Sequence, residues 1–176
     1  KSVGYGGLPN EEMEVELDAA FMNGDTLEFG CVGGVKDFAN PVSIARSLMH
    51  YDANNFLIGQ GAEKYASRHG FERKTMLTDR AKIHYHNRTK EITNTELKPY
   101  SGHDTVGMVC LDTAGHMTSA TSTSGLFMKH PGRTSSISTH RYRFLCMWFW
   151  ILCRFFCRRS ECYRFRGRCY EGLCFL

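Results

Sequence analysis

The sequence predicts an α+β fold, with helices packed on stacked β-sheets and a C-terminal tail that carries no periodicity. Three observations predict it. Apolar and polar residues alternate on both sides of Asn23-Gly24. Apolar residues fall at helical spacing after Asn40-Pro41 and again from Ala62 to His69. Two further strand-like runs, Val106 to Asp112 and His116 to Ser124, flank a Thr113-Ala114-Gly115 turn.

Taken in order, Gly4, Gly6 and Gly7 open the chain as a tight loop, followed by a Pro9-Asn10 turn. Val15, Leu17, Ala19 and Phe21 alternate with Glu14, Glu16, Asp18 and Ala20, the period of a half-buried strand. Asn23-Gly24 supplies a hairpin turn, and Leu27, Phe29 and Cys31 alternate on the return, so a hairpin is expected over about 14–33. Asn40 and Pro41 suit an N-cap and first helical position, with Val42, Ala45, Leu48 and Met49 at helical spacing. Asn55 to Ile58 reads as a short buried strand. Ala62, Tyr65, Ala66 and His69 form a helical stripe that Gly70 ends. Residues 71–101 are polar and weakly patterned, and read as an exposed segment leading to Asp104.

With 176 residues, 42% of them hydrophobic and 23% charged, the chain suits one domain with a real core. The net charge of +4 is unevenly spread. Residues 1–133 carry 14 Lys and Arg against 16 Asp and Glu, an ordinary, mildly acidic stretch that argues for no nucleic-acid partner. Residues 134–176 carry 8 Arg against 2 Glu and hold six of the 8 cysteines. Cys31 and Cys110, on apolar strand patterns, are expected to be buried free thiols. No signal peptide is visible, the chain begins at Lys1 as a fragment would, and the apolar run Phe144 to Cys153 is too short to span a membrane.

The chemistry gathers at Asp104-Thr105. A threonine hydroxyl is a poor nucleophile at neutral pH without a base beside it. Cutting the chain just before the threonine supplies one, because a freed α-amino group has a pKa of about 7.7–8.0 and is partly neutral near pH 7. An Asp-Thr bond opening an apolar strand fits such a cut.

These residues resemble a known family. Gly102-His103-Asp104-Thr105-Val106-Gly107-Met108-Val109, then Thr121-Ser122-Thr123-Ser124-Gly125, then Gly132-Arg133, are similar to the glycosylasparaginase branch of the N-terminal-nucleophile hydrolases. Ser2-Val3-Gly4-Tyr5-Gly6-Gly7-Leu8-Pro9, Leu17-Asp18-Ala19 with Asn23-Gly24, and Asn40-Pro41 before Ile44-Ala45-Arg46 follow the family's order. The resemblance covers residues 1–133 and implies a partial αββα sandwich. It implies that Thr105 becomes the nucleophile after cleavage between Asp104 and Thr105, that Thr123 orients it, and that Ser2 lies close by. It implies that Arg133 holds the substrate's α-carboxylate, a task suited to a bidentate guanidinium. The implied reaction hydrolyses the side-chain amide of glycosylated asparagine, or a β-aspartyl linkage, through a threonine ester. It needs no metal or organic cofactor. The implied partners are a small-molecule substrate and, in a complete family member, a second processed protomer; neither nucleic acid nor membrane is implied. For an animal source the resemblance implies a lysosomal or secretory location.

The chain departs from the family after Arg133. Ser136 stands where an Asp for the substrate's amino group is expected, and the second half of the family domain, with its oxyanion-hole Thr-Gly pair, has no counterpart. Residues 134–176 read as a non-homologous tail rich in Cys, Arg and aromatics, expected to be disordered or to come from a shifted frame or retained intron. Without a Cys-x-x-Cys pair it makes a poor zinc site, and the disulfide-rich and basic-surface readings also rank below the shifted frame or retained intron.

Two other readings compete. A plant-type L-asparaginase and isoaspartyl peptidase shares the threonine turn but precedes its nucleophile with Gly, so His103-Asp104 favours the first branch. A non-enzymatic binding protein would need the tail to be ordered and the chain to stay uncut. Because an oxyanion-hole donor is worth about 2.7–4 kcal/mol in the transition state, the purified 176-residue chain is expected to release no measurable aspartate from a β-aspartyl amide. Release at a rate above background in that assay would contradict the expectation.

Overall fold

The computed structural model describes residues 3–92, 105–134, 169–170 and 173–175. Their strands form one mixed sheet in the order β3-β2-β1-β5-β4-β7-β6. The elements in chain order are β1 (Glu16–Asn23), β2 (Phe29–Lys36), α1 (Pro41–Leu48), β3 (Phe56–Ile58), α2 (Gly59–Arg68), α3 (Asp79–Ile92), β4 (Thr105–Leu111), β5 (Met117–Thr123), β6 (Cys169–Tyr170) and β7 (Leu173–Phe175). All pairings are antiparallel except β2 with β3. This is an α+β arrangement. The described residues build a single sheet, and a second, stacked sheet is not among them.

The expected hairpin is present as β1 and β2, with a longer connection than Asn23-Gly24 alone suggests. Asn23 Oδ1 accepts the backbone N–H groups of Asp25 (2.9 Å) and Thr26 (3.4 Å), folding a local turn. Leu27 lies in the loop at φ 62° and is exposed, so it is not part of the return strand. The alternation over 14–21 also misleads in one respect. Leu17 and Ala19 are fully buried, but so are Glu16 and Asp18 on the opposite face. β1 is central, with β2 on one side and β5 on the other, and both its faces are covered.

One face carries the main core. Ala19, Val32 and Val35 pack under Ile44, Ala45 and Leu48 of α1 and Ala62 and Ala66 of α2. α1 starts with Pro41 at its first turn, and Asn40 offers no side-chain cap. Gly70, at φ 77°, ends α2 as expected. Contact between α1 and β2 is close enough that a Cβ on Gly30 would sit 1.9 Å from the Ala45 carbonyl oxygen. A smaller cluster of Val15, Leu17 and Met76 extends the same layer.

Two expectations are corrected. The run at 55–58 is a strand, but an edge strand with Phe56 and Ile58 exposed, because β3 pairs only with β2. The polar segment after residue 71 contains α3. Its faint amphipathicity hid it, while Thr78 Oγ1 accepts the Ala81 N–H at 3.4 Å, Asp79 sits in the first turn, and Tyr85 Oη donates to the Glu11 carbonyl at 2.6 Å. Of residues 134–176 the described strands are β6 and β7, and β7 pairs with β4 at Met108 to Cys110. Cys31 is buried, whereas Cys110 is only half-buried.

Two outcomes follow. Gly30→Ala drives a methyl into backbone that cannot yield, and should lower unfolding stability by about 1–3 kcal/mol or more in chemical denaturation. Lys36 donates to Glu14, and that hydrogen bond raises its ammonium above the ordinary 10.5. A raised folded value means the stabilisation is complete below the unfolded lysine value of about 10.4 and is lost as pH climbs through the folded one. Glu14→Gln should bring the Lys36 titration back down, as measured by NMR.

Candidate active site

The register across three neighbouring strands sets the geometry. Thr105, the first residue of β4, is the Cα partner of Thr123, the last residue of β5, and Thr123 is in turn the partner of Asp18 on β1. Directly opposed residues share a face and bring their Cβ atoms within roughly 4.5–5.5 Å. The row Asp18, Thr123, Thr105 therefore lies on the sheet face opposite α1 and α2. Asp18 and Thr123 are buried, while Thr105 is exposed.

Each member is held by its own local device. Leu17 pairs with Val35 and Ala19 with Val32, so Gly33 and Gly34 together oppose Asp18 in a bulge. Gly34 adopts φ 61°, and its N–H points at Asp18 Oδ1 at 2.8 Å. Thr123 Oγ1 accepts the Gly125 N–H at 2.9 Å, closing the turn that follows β5. The Gly4–Gly7 loop packs closely on that turn: a Cβ on Gly7 would lie 3.2 Å from Ser124 Cβ, and one of the two would have to give a little.

The stretch from Gly125 to Arg133 then crosses the same face. Its backbone is tied to the N-terminal loop through Met128 N–H to Pro9 O (3.0 Å) and Glu11 N–H to Lys129 O (3.0 Å). Lys129 and Glu16 form a buried ion pair at 3.1 Å, their side chains 1% and 3% exposed. The Glu16 carboxylate also accepts the Gly132 N–H, at 2.9 and 3.1 Å from its two oxygens, and Lys129 Nζ donates to the Arg133 carbonyl at 2.7 Å. Arg133 is exposed, and its guanidinium makes no ion pair among the described residues. Thr134 reaches back to the bulge, where its Cγ2 lies 2.9 Å from the place a Gly33 Cβ would occupy and Asp18 Oδ1 lies 3.6 Å from it.

Of the residues singled out in the sequence, Thr105 and Thr123 are brought together, and Arg133 stands on a loop fixed to the same face. Ser2, His103 and Asp104 lie outside the described residues. Asp18, Glu16 and Lys129 were missed. In an alternating strand the two carboxylates look solvent-facing, and only the burial of both faces of β1 reveals them. Among the described residues no cluster of three or more His, Cys, Asp or Glu side chains is arranged to hold a metal, and no helix is long and apolar enough to cross a membrane.

The family model described as asparaginase matches residues 1–138. An N(4)-(β-N-acetylglucosaminyl)-L-asparaginase of Elizabethkingia miricola is 34% identical over 133 residues, covering 76% of this chain and 39% of the relative. An isoaspartyl peptidase/L-asparaginase of Rattus norvegicus is 36% identical over 135 residues, covering 75% of this chain and 40% of the relative. A rat N(4)-(β-N-acetylglucosaminyl)-L-asparaginase is 29% identical over 162 residues, covering 75% and 47%. The chain belongs to the asparaginase family that this model describes. It spans about two fifths of the length of the first two of these relatives.

Breaking the buried pair by Lys129→Met leaves Glu16 uncompensated and should cost about 3–5 kcal/mol. Thermal or chemical unfolding of the variant measures this, and a loss below 1 kcal/mol would show that Glu16 finds water instead.

Proposed function

We propose that residues 1–133 are part of a self-processing amidohydrolase, with the αββα sandwich of the N-terminal-nucleophile hydrolases completed by further chain. It acts on the side-chain amide of glycosylated asparagine or on a β-aspartyl linkage. The observation that carries this reading is the position of Thr105, exposed at the head of β4 and directly opposite the buried Thr123.

In the processing step the Thr105 hydroxyl attacks the carbonyl carbon of Asp104. The Asp104–Thr105 C–N bond breaks as the C–O bond forms, giving an ester and a free amine, and water then hydrolyses the ester. In turnover the new α-amine of Thr105 takes the proton from its own hydroxyl. The oxygen attacks the substrate's amide carbonyl, the amide nitrogen leaves carrying a proton, and water releases aspartate from the resulting β-aspartyl ester. Thr123 orients the hydroxyl and the amine, Ser2 approaches from the N-terminal loop, and Arg133 grips the α-carboxylate through a paired guanidinium contact. Processed protomers pair as a dimer, and for an animal source the protein follows the secretory route to the lysosome.

A second reading, the isoaspartyl peptidase and L-asparaginase activity, is favoured by the 36% identity to the rat relative of that name. His103-Asp104 before Thr105 argues for the glycosylated substrate. The test joins residues 1–133 to the remaining C-terminal residues of the Elizabethkingia relative. That protein should split between Asp104 and Thr105 into two pieces on a denaturing gel, and Thr105→Ala should stay whole. Its rate on glycosylated asparagine should exceed its rate on a β-aspartyl dipeptide. An intact chain that still turns over substrate would overturn the threonine mechanism, and the reverse rate order would favour the second reading.

A further inference from the structure

We propose that the buried Glu16–Lys129 pair is a positioning device that sets Arg133 relative to the Thr105–Thr123 row, and so confers preference for ligands carrying an α-carboxylate. The inference deepens the role given to Arg133 above and rests on it.

The two side chains hold the backbone on both sides of the Gly132–Arg133 peptide. Glu16 accepts the N–H of Gly132, and Lys129 donates to the carbonyl of Arg133. Lys129 also lies against the other end of the site. A Cβ on Gly125 would meet Lys129 Cδ at 3.0 Å and Nζ at 3.2 Å, and Gly125 N–H is the donor to Thr123 Oγ1. One ammonium thus touches the turn that holds Thr123 and the turn that carries Arg133, while its counter-ion is rooted on β1, two residues before Asp18 in the row. The distance between nucleophile and guanidinium is set through this pair.

A purely stabilising role fits the energetics poorly. Desolvating an ammonium and a carboxylate is expensive, and packed apolar residues of similar volume commonly serve a core as well or better. What apolar residues cannot do is hold a specific N–H and a specific C=O at once. Positioning of this kind is sensitive: a misplacement of about 1 Å can cost as much as 10²-fold.

The test uses the full 176-residue chain and two probes titrated by NMR: L-aspartate, and β-alanine, which is aspartate without its α-carboxylate. The unsubstituted chain binds L-aspartate in preference to β-alanine. The double variant Glu16→Leu with Lys129→Met removes both charges together and keeps the volume filled, so it retains a cooperative melt and dispersed amide signals. Its preference for L-aspartate falls about tenfold or more. Glu16→Gln, close to isosteric, is the second variant, and its preference falls as well. A folded variant of either kind with the unsubstituted preference overturns the positioning role, because a merely structural pair would leave the ratio of the two affinities unmoved. Absence of any preference in the unsubstituted chain overturns the assignment of Arg133 itself, and the inference with it.

Discussion

The polar face of the sheet depends on a lysine and a glutamate that meet where water does not reach. Lys129 and Glu16 are almost fully buried, and each spends its remaining hydrogen-bonding capacity on the backbone of residues 132 and 133. The segment after β5 has no regular structure of its own. Backbone bonds to Pro9 and Glu11 tie it to the N-terminal loop, and the pair fixes its far end over β1. Buried charge is costly, and here the cost is offset by geometry: a loop acquires a defined path across the sheet.

Beneath that loop, the sheet converts chain-distant residues into neighbours. β1 is about 80 residues or more from β4 and β5 along the chain, and their antiparallel register alone puts Asp18, Thr123 and Thr105 in one row. The bulge at Gly33-Gly34 makes room for the buried Asp18 carboxylate by opposing it with two residues that lack side chains. On the other face α1 and α2 cover β1 and β2 with aliphatic side chains, pressed so close that Gly30 touches the helix backbone. The apolar face gives the strands a fixed platform, and the polar face uses it.

Elements with a strong local signal were legible in the chain. The two hairpins follow from alternation and turn residues, α1 from Pro41 and α2 from Gly70, because these signals act within a few residues of the backbone they shape. The α3 helix was not legible. Its sequence, rich in Lys, Arg and His, has little amphipathic contrast, and what anchors it are contacts such as Tyr85 to the distant Glu11 carbonyl. β3 was found but misplaced in burial, since a short apolar run looks the same at a sheet's edge as at its centre.

The candidate site divides along the same line. Thr105, Thr123 and Arg133 stand out in the sequence because they sit in short motifs, whose information is local. That Thr105 and Thr123 face one another, that Asp18 completes the row, and that Glu16 and Lys129 join in the interior were decided by the tertiary structure alone. Strand register and the covering of both faces of β1 are long-range properties, set by how the whole sheet closes its core, and no window of neighbouring residues contains them.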